Sequence, residues 1–245
     1  MKKILMLIMA LVLVIGVSGQ AMAYFDGELI RAVYHEGGTL EQITALGPLS
    51  SHTTPFTDNV LYSANPFALS TFVGAEFADL QVAYFIFEGS GTTKAWTSGP
   101  LDGTQTSGNR QGGGFKTMGD YITTLLYNTG GDSDSVVLQS NPQAYSFIAN
   151  ANGVTQGKFN SFIPGANGEA NLAVLGASSD SYVDQSLYYY SSNNIVQNGV
   201  NIATIRTWAN GTTELNPSSV PVPAAVYLLG SGLLGLVGIR RKMAA

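Results

Sequence analysis

Leu80-Gln81-Val82-Ala83-Tyr84-Phe85-Ile86-Phe87 is the stretch on which the fold turns. It is almost continuously apolar and made of β-prone types, so it reads as a central strand buried on both faces. Thr93 to Thr97 can pair with it across the Gly89-Ser90-Gly91 turn. Upstream, Glu28 to Tyr34 and Leu40 to Leu46 form a hairpin around Glu36-Gly37-Gly38. Downstream, Val136 to Gln139, Leu172 to Leu175, Ser186 to Tyr190 and Ile202 to Trp208 are further strands. Asn210-Gly211 then turns the chain back through Thr212 to Leu215. Turn dipeptides such as Asp102-Gly103, Asn152-Gly153 and Asn198-Gly199 punctuate the rest. Two stretches read as short helices, Pro66 to Ala78 with Asn65 as its cap, and Gly119 to Asn128. No fixed-period repeat is visible, which argues against a solenoid or propeller. The expectation is a mostly β domain over residues 24–215, a single β-sandwich or jelly roll with one or two short helices.

Composition bounds what that domain does. The chain has 245 residues, 45% hydrophobic and 11% charged, and no cysteine. Thiol catalysis, disulfides, Cys-ligated zinc, iron–sulfur clusters and covalent haem are excluded. All 16 acidic residues lie between residues 24 and 219. Only Arg31, Lys94, Arg110, Lys116, Lys158 and Arg206 balance them there, a formal charge of −10. Nucleic acid is therefore not expected as a partner, since phosphate binding needs clustered Lys and Arg.

The two ends read as membrane-directed. Residues 1–23 carry Lys2 and Lys3, an apolar run from Ile4 to Val17, and Ala21-Met22-Ala23, a small-x-small site for signal peptidase. This is a secretory signal peptide cut before Tyr24, with an uncleaved anchor as the alternative. Val220 to Ile239 carries no charge, about 20 residues, enough to cross a ~30 Å hydrocarbon core. The helix is placed at 223–239, and Arg240, Arg241 and Lys242 follow it and stay cytoplasmic. The domain therefore lies outside the inner membrane. Residues 216–219 form a tether that reaches only ~15 Å when extended.

Val220-Pro221-Val222-Pro223-Ala224, the Leu228-Leu229-Gly230-Ser231-Gly232-Leu233-Leu234-Gly235-Leu236 core and the basic cluster resemble the VPLPA variant of the PEP-CTERM sorting signal. Val222 stands for the variant's usual leucine and Tyr227 for its tryptophan. The resemblance implies a Gram-negative bacterium with an exosortase, a membrane protease that processes such tails. It also implies a cell surface, biofilm or exopolysaccharide matrix as destination. Gly230, Gly232, Gly235 and Gly238 are alternatively a helix-packing face of a plain anchor. The hairpin ending at Leu46-Gly47, with the stretches Tyr182 to Gln185 and Thr204 to Thr207, resembles uncharacterised PEP-CTERM surface proteins without established activity.

Chemistry-bearing motifs are sparse. His35 and His52 are isolated in sequence, H-E-x-x-H is absent, and no G-x-S-x-G elbow lies between the two ends. The glycine-rich pieces at 89–94 and 111–116 do not match a phosphate loop and read as turns. Asp132 and Asp134 alternate in a loop and are calcium candidates, against a solvated turn; Asp180 and Asp184 flank another loop. Paired carboxylates could hydrolyse a glycoside, but spacing selects no pair. Exposed aromatics could bind sugar: Trp96 and Tyr189 are the candidates, with Trp208, Tyr188 and Tyr190 as others, against packing in the core. Alternation places Tyr189 opposite to Tyr188 and Tyr190. Asn210-Gly211-Thr212 matches a glycosylation sequon but reads as a turn. The expectation is an exported, non-enzymatic surface or matrix protein without a cofactor. A carbohydrate-binding module for exopolysaccharide is the alternative, and a secreted glycoside hydrolase the third reading.

Overall fold

A computed structural model describes residues 27–86, 94–101, 113–128, 133–149, 168–191 and 198–218. Ten strands are described: β1 Glu28–His35, β2 Leu40–Pro48, β3 Val60–Tyr62, β4 Leu80–Ile86, β5 Ala95–Gly99, β6 Asp134–Leu138, β7 Glu169–Asn171, β8 Tyr182–Tyr190, β9 Val200–Trp208 and β10 Thr213–Leu215. Two helices join them, α1 Gly113–Asn128 and α2 Tyr145–Ala149. The strands run in the order β3-β10-β9-β8-β5-β4-β1-β2-β6, with β7 also on β4, and every described pairing is antiparallel.

The apolar strand that opens the sequence reading is β4, at the middle of the order. One edge of β4 pairs with β1; the other is shared. Phe85 and Ile86 meet Thr97 and Trp96 of β5, while Gln81 to Ala83 meet Asn171 to Glu169 of β7. At the fork, Ser98 Oγ accepts the Tyr84 N–H and donates to the Gly168 carbonyl. The side chain thus supplies the ladder bond that the diverging backbone cannot.

Both faces of the central strands are buried, and alternation sorts their residues. Ile30, Ala32, Tyr34, Ile43, Ala83 and Phe85 pack under α1 and α2, with Ile122, Leu126, Tyr145 and Ile148. Val33, Val82, Tyr84 and Ile86 point the other way, onto Leu187, Ile205 and Leu215 of β8, β9 and β10. The second core exists because the sheet curls until its two halves face each other. β-bulges at Leu29/Ile30 and Leu187/Tyr188 assist, since a bulge bends a strand and increases its twist.

Arg31 fastens the curl. Its Nη1 donates to the Gly211 carbonyl (2.7 Å) and to Thr213 Oγ1 (3.3 Å). Its Nη2 donates to the Asn65 carbonyl (2.6 Å) and to Thr44 Oγ1 (3.2 Å). Thr44 passes a hydrogen bond on to Asp134 Oδ1 at 2.6 Å. The Tyr84 hydroxyl is hydrogen-bonded to both Thr207 and Thr213. A fully buried cation is costly unless paired and hydrogen-bonded; here burial pulls the Arg31 pKa down, while Tyr84 and Asp134 hold it up. Gly211 is indispensable at this point. Its φ is +83°, and a Cβ there would sit 1.8 Å from the Phe67 carbonyl oxygen.

The structure corrects several expectations. The strands form one continuous curled sheet, where a sandwich would divide them into two. Leu172 to Leu175 is not a strand: β7 stops at Asn171, whose Oδ1 accepts the Ala173 N–H and starts a 3₁₀ turn at Ala173–Ala177. Leu172 and Leu175 are both buried, a three-residue spacing that suits that turn. Pro66 to Ala78 is not one helix but 3₁₀ turns at Leu69–Thr71 and Phe77–Asp79, separated by Gly74 at φ +81°. Asn65 caps neither; at φ +52° it donates Nδ2 to Ser133 Oγ. The helix expected from Gly119 begins at Gly113. The signal peptide, the sorting signal and its helix lie outside the described residues. Among the described residues no helix is long and apolar enough to cross a membrane.

Candidate functional site

On the outer face of the curl, side chains of β8, β9 and β10 project away from the second core. Tyr182 is opposite Trp208, and Asp184 opposite Arg206. Arg206 Nε and Nη2 each donate to one oxygen of Asp184, both at 2.8 Å, a bidentate pair. That pairing pushes the Arg206 pKa further up. The guanidinium lies 3.6 Å from the Tyr182 ring centroid and 5.2 Å from that of Trp208. The two rings meet edge to face, 5.2 Å apart. Trp208 Nε1 donates to Glu214 Oε2, and Asn59 donates to the other oxygen of Glu214.

Beside this cluster lies a groove of about 420 Å³, lined by Phe56, Thr57, Leu101, Asp184, Thr204, Arg206, Asn216 and Pro217. Thr204, Asp184 and Arg206 come from facing strands and make its floor. Asn216 fixes one wall: Oδ1 accepts the Thr204 N–H, and Nδ2 donates to the carbonyls of Phe56 and Asp58. Phe56 is backed by the His52 ring at 4.1 Å. The groove is wide open to solvent, and its lining mixes apolar walls with polar groups.

The residues singled out from sequence fall elsewhere. Trp96 is 0% exposed, and its Nε1 donates to the His52 carbonyl at 2.7 Å. It is a core residue and has no free ring face for sugar. Tyr189 is half-buried with its ring against Trp96, centroids 5.1 Å apart. Tyr188 and Tyr190 face the helix-covered core, opposite to Tyr189. Asp134 accepts hydrogen bonds from Gln42 and Thr44, and Asp132 lies outside the described residues. Among the described residues no group of three or more His, Cys, Asp or Glu is placed to hold a metal. Asn210 forms the turn with its own side chain, Oδ1 accepting from the Thr212 N–H and hydroxyl.

The structure does select a carboxylate pair, Glu41 and Glu169, on the helix-covered side. Glu41 is fully buried and accepts the Tyr145 and Ser146 N–H groups at 2.6 Å each, tying β2 to the start of α2. Burial pushes its pKa up to about 7, against the pull of those hydrogen bonds. Glu169 accepts from the Tyr34 hydroxyl at 2.7 Å and the Tyr145 hydroxyl at 2.9 Å, and is also raised by burial. Strand alternation places Glu41 with Ile43 and Ala45 on the apolar face, a signal that sequence reading could have used. Comparison of the chain with protein-family models, curated proteins and solved structures found no match.

Proposed function

We propose that this chain is an exported protein of a Gram-negative cell surface or extracellular matrix. In this reading signal peptidase removes residues 1–23, and an exosortase processes the tail at 220–245 after a stay in the inner membrane. The domain over residues 24–215 has a structural or interaction role and is not an enzyme. The observation that carries the reading is the sequence of the two ends: Lys2 and Lys3, the apolar run from Ile4 to Val17 and the small-x-small site Ala21-Met22-Ala23 at one, and the proline motif, the uncharged run to Ile239 and the basic cluster at the other. Among the described residues the strands lie between Glu28 and Leu215.

The test is mass spectrometry of the mature chain from fractionated cells. Loss of Val226 to Ile239, abolished when the exosortase is deleted, is the expected result. A mature extracellular form that keeps those residues overturns the sorting reading. A second reading, binding of matrix polysaccharide, is supported by the open groove on β8 and β9, whose lining mixes apolar walls with a carboxylate, a guanidinium and hydroxyls.

A further inference from the structure

We propose that the groove over Asp184, Thr204 and Arg206 binds a neutral, linear polysaccharide, with Tyr182 and Trp208 extending the site along the same strands. The inference rests on the reading of the chain as a matrix protein and names the surface and the ligand class. A pyranose has an apolar C–H face and a rim of hydroxyls. Phe56, Leu101 and Pro217 supply apolar walls for the first, and Asp184, Thr57 and Thr204 supply acceptors and donors for the second. Arg206 uses Nε and Nη2 on Asp184, and its Nη1 makes no hydrogen bond among the described residues. Each Asp184 oxygen keeps acceptor capacity beyond the bond from Arg206.

Charge selects the ligand class. Arg206 is neutralised by Asp184, with Glu214 close by on Trp208, so the cluster offers no net positive charge. The domain around it carries −10. A uronic-acid or phosphorylated polymer would be repelled, whereas a neutral hexose or pentose chain would not. Geometry favours a linear polymer. Tyr182 lies two residues from Asp184 on β8, and Trp208 two residues from Arg206 on β9, so both share the outer face. Tyr182 is 38% exposed. The two rings do not line the groove itself but stand next to it on the same face, where a chain leaving the groove along the strands would pass them.

Tryptophan supplies the readout. The chain has two, of which Trp96 is sealed in the core and Trp208 stands at the end of the site. The full chain, held in a detergent without a sugar headgroup, is titrated with cellohexaose, xylohexaose, maltohexaose, mannohexaose and hexamannuronate by calorimetry and tryptophan fluorescence. At least one neutral hexasaccharide is expected to bind and to perturb Trp208, with hexamannuronate inert. Asp184→Asn is expected to weaken binding about tenfold, by removing an ionised acceptor. Thr57→Arg changes an exposed wall residue, leaves the core intact and is expected to block the groove. Tyr189→Phe, on the other face of β8, is expected to bind as the parent chain does. Absence of binding to every neutral probe, preference for hexamannuronate, or unchanged affinity in both groove variants overturns the proposal. A chain that binds but keeps its tail defeats the sorting reading alone; a chain that is processed but binds nothing defeats the groove alone.

Discussion

Arg31 and Arg206 look alike in sequence. Each stands inside a strand directly after an isoleucine, Ile30 and Ile205. In the fold they do opposite things. Arg31 is sealed inside the curl and donates to neutral oxygens contributed by β2, β10, the turn before β10 and the loop after β3. Arg206 lies on the outer face, holds a carboxylate from the neighbouring strand and is sheltered by two rings. Arg31 joins elements about 180 residues apart in the chain; Arg206 joins neighbours in one ladder. What distinguishes a fold-closing arginine from one that fastens a single ladder is the distance its partners must travel to meet it.

Arg31→Met breaks the comparison most severely. It removes four hydrogen bonds and leaves buried carbonyls and Asp134 without their cation. A loss of about 3–5 kcal/mol is expected by urea unfolding, and a loss near 1 kcal/mol would mean that the curl does not depend on this residue. Glu41 provides the next test, because its folded pKa of about 7 lies above the ordinary value of 4.5. The folded form retains the proton longer, so stability is greatest below about pH 4.5, declines as pH rises to about 7, and is level beyond. The melting temperature is expected to fall between about pH 5 and pH 7, and Glu41→Gln to flatten that slope. Tyr84→Phe deletes the hydroxyl between Thr207 and Thr213 and should cost about 1–3 kcal/mol, read by the same urea curves. Arg206→Ala should have the smallest effect on stability, about 1–2 kcal/mol, because Arg206 is itself buried but the one partner it leaves behind, Asp184, is within reach of water. Its effect on the oligosaccharide titration should be large, which is the contrast with Arg31 in its sharpest form.

Long apolar or alternating runs made much of the sheet readable. β4 and β9, and the hairpin of β1 and β2, follow from local pattern, because side-chain alternation in a strand needs no distant information. β3 and β7, with three residues each, leave too few positions for a period to show. The curl was not readable, because it is set by Arg31 meeting residues 65, 211 and 213. The two tryptophans show the same limit at the site. Trp96 is buried because the His52 carbonyl and Tyr189 come to it, and Trp208 is outward because β9 places it beside Tyr182. Asp184 stands in the sequence beside a loop and Arg206 as one base among six; their meeting depends on the β8–β9 register and its bulge at Leu187/Tyr188.

Asn216 has a mechanical consequence. It clamps the chain where β10 ends, through Thr204, Phe56 and Asp58. β10 itself is laddered on both sides, to β9 and to β3. A pull on the tail beyond Pro217 would load those two ladders lengthwise, in shear, so that their hydrogen bonds share the force instead of opening one after another. On the sorting reading proposed above, a domain held by its tail would resist extraction at β10, the strand next to the anchor.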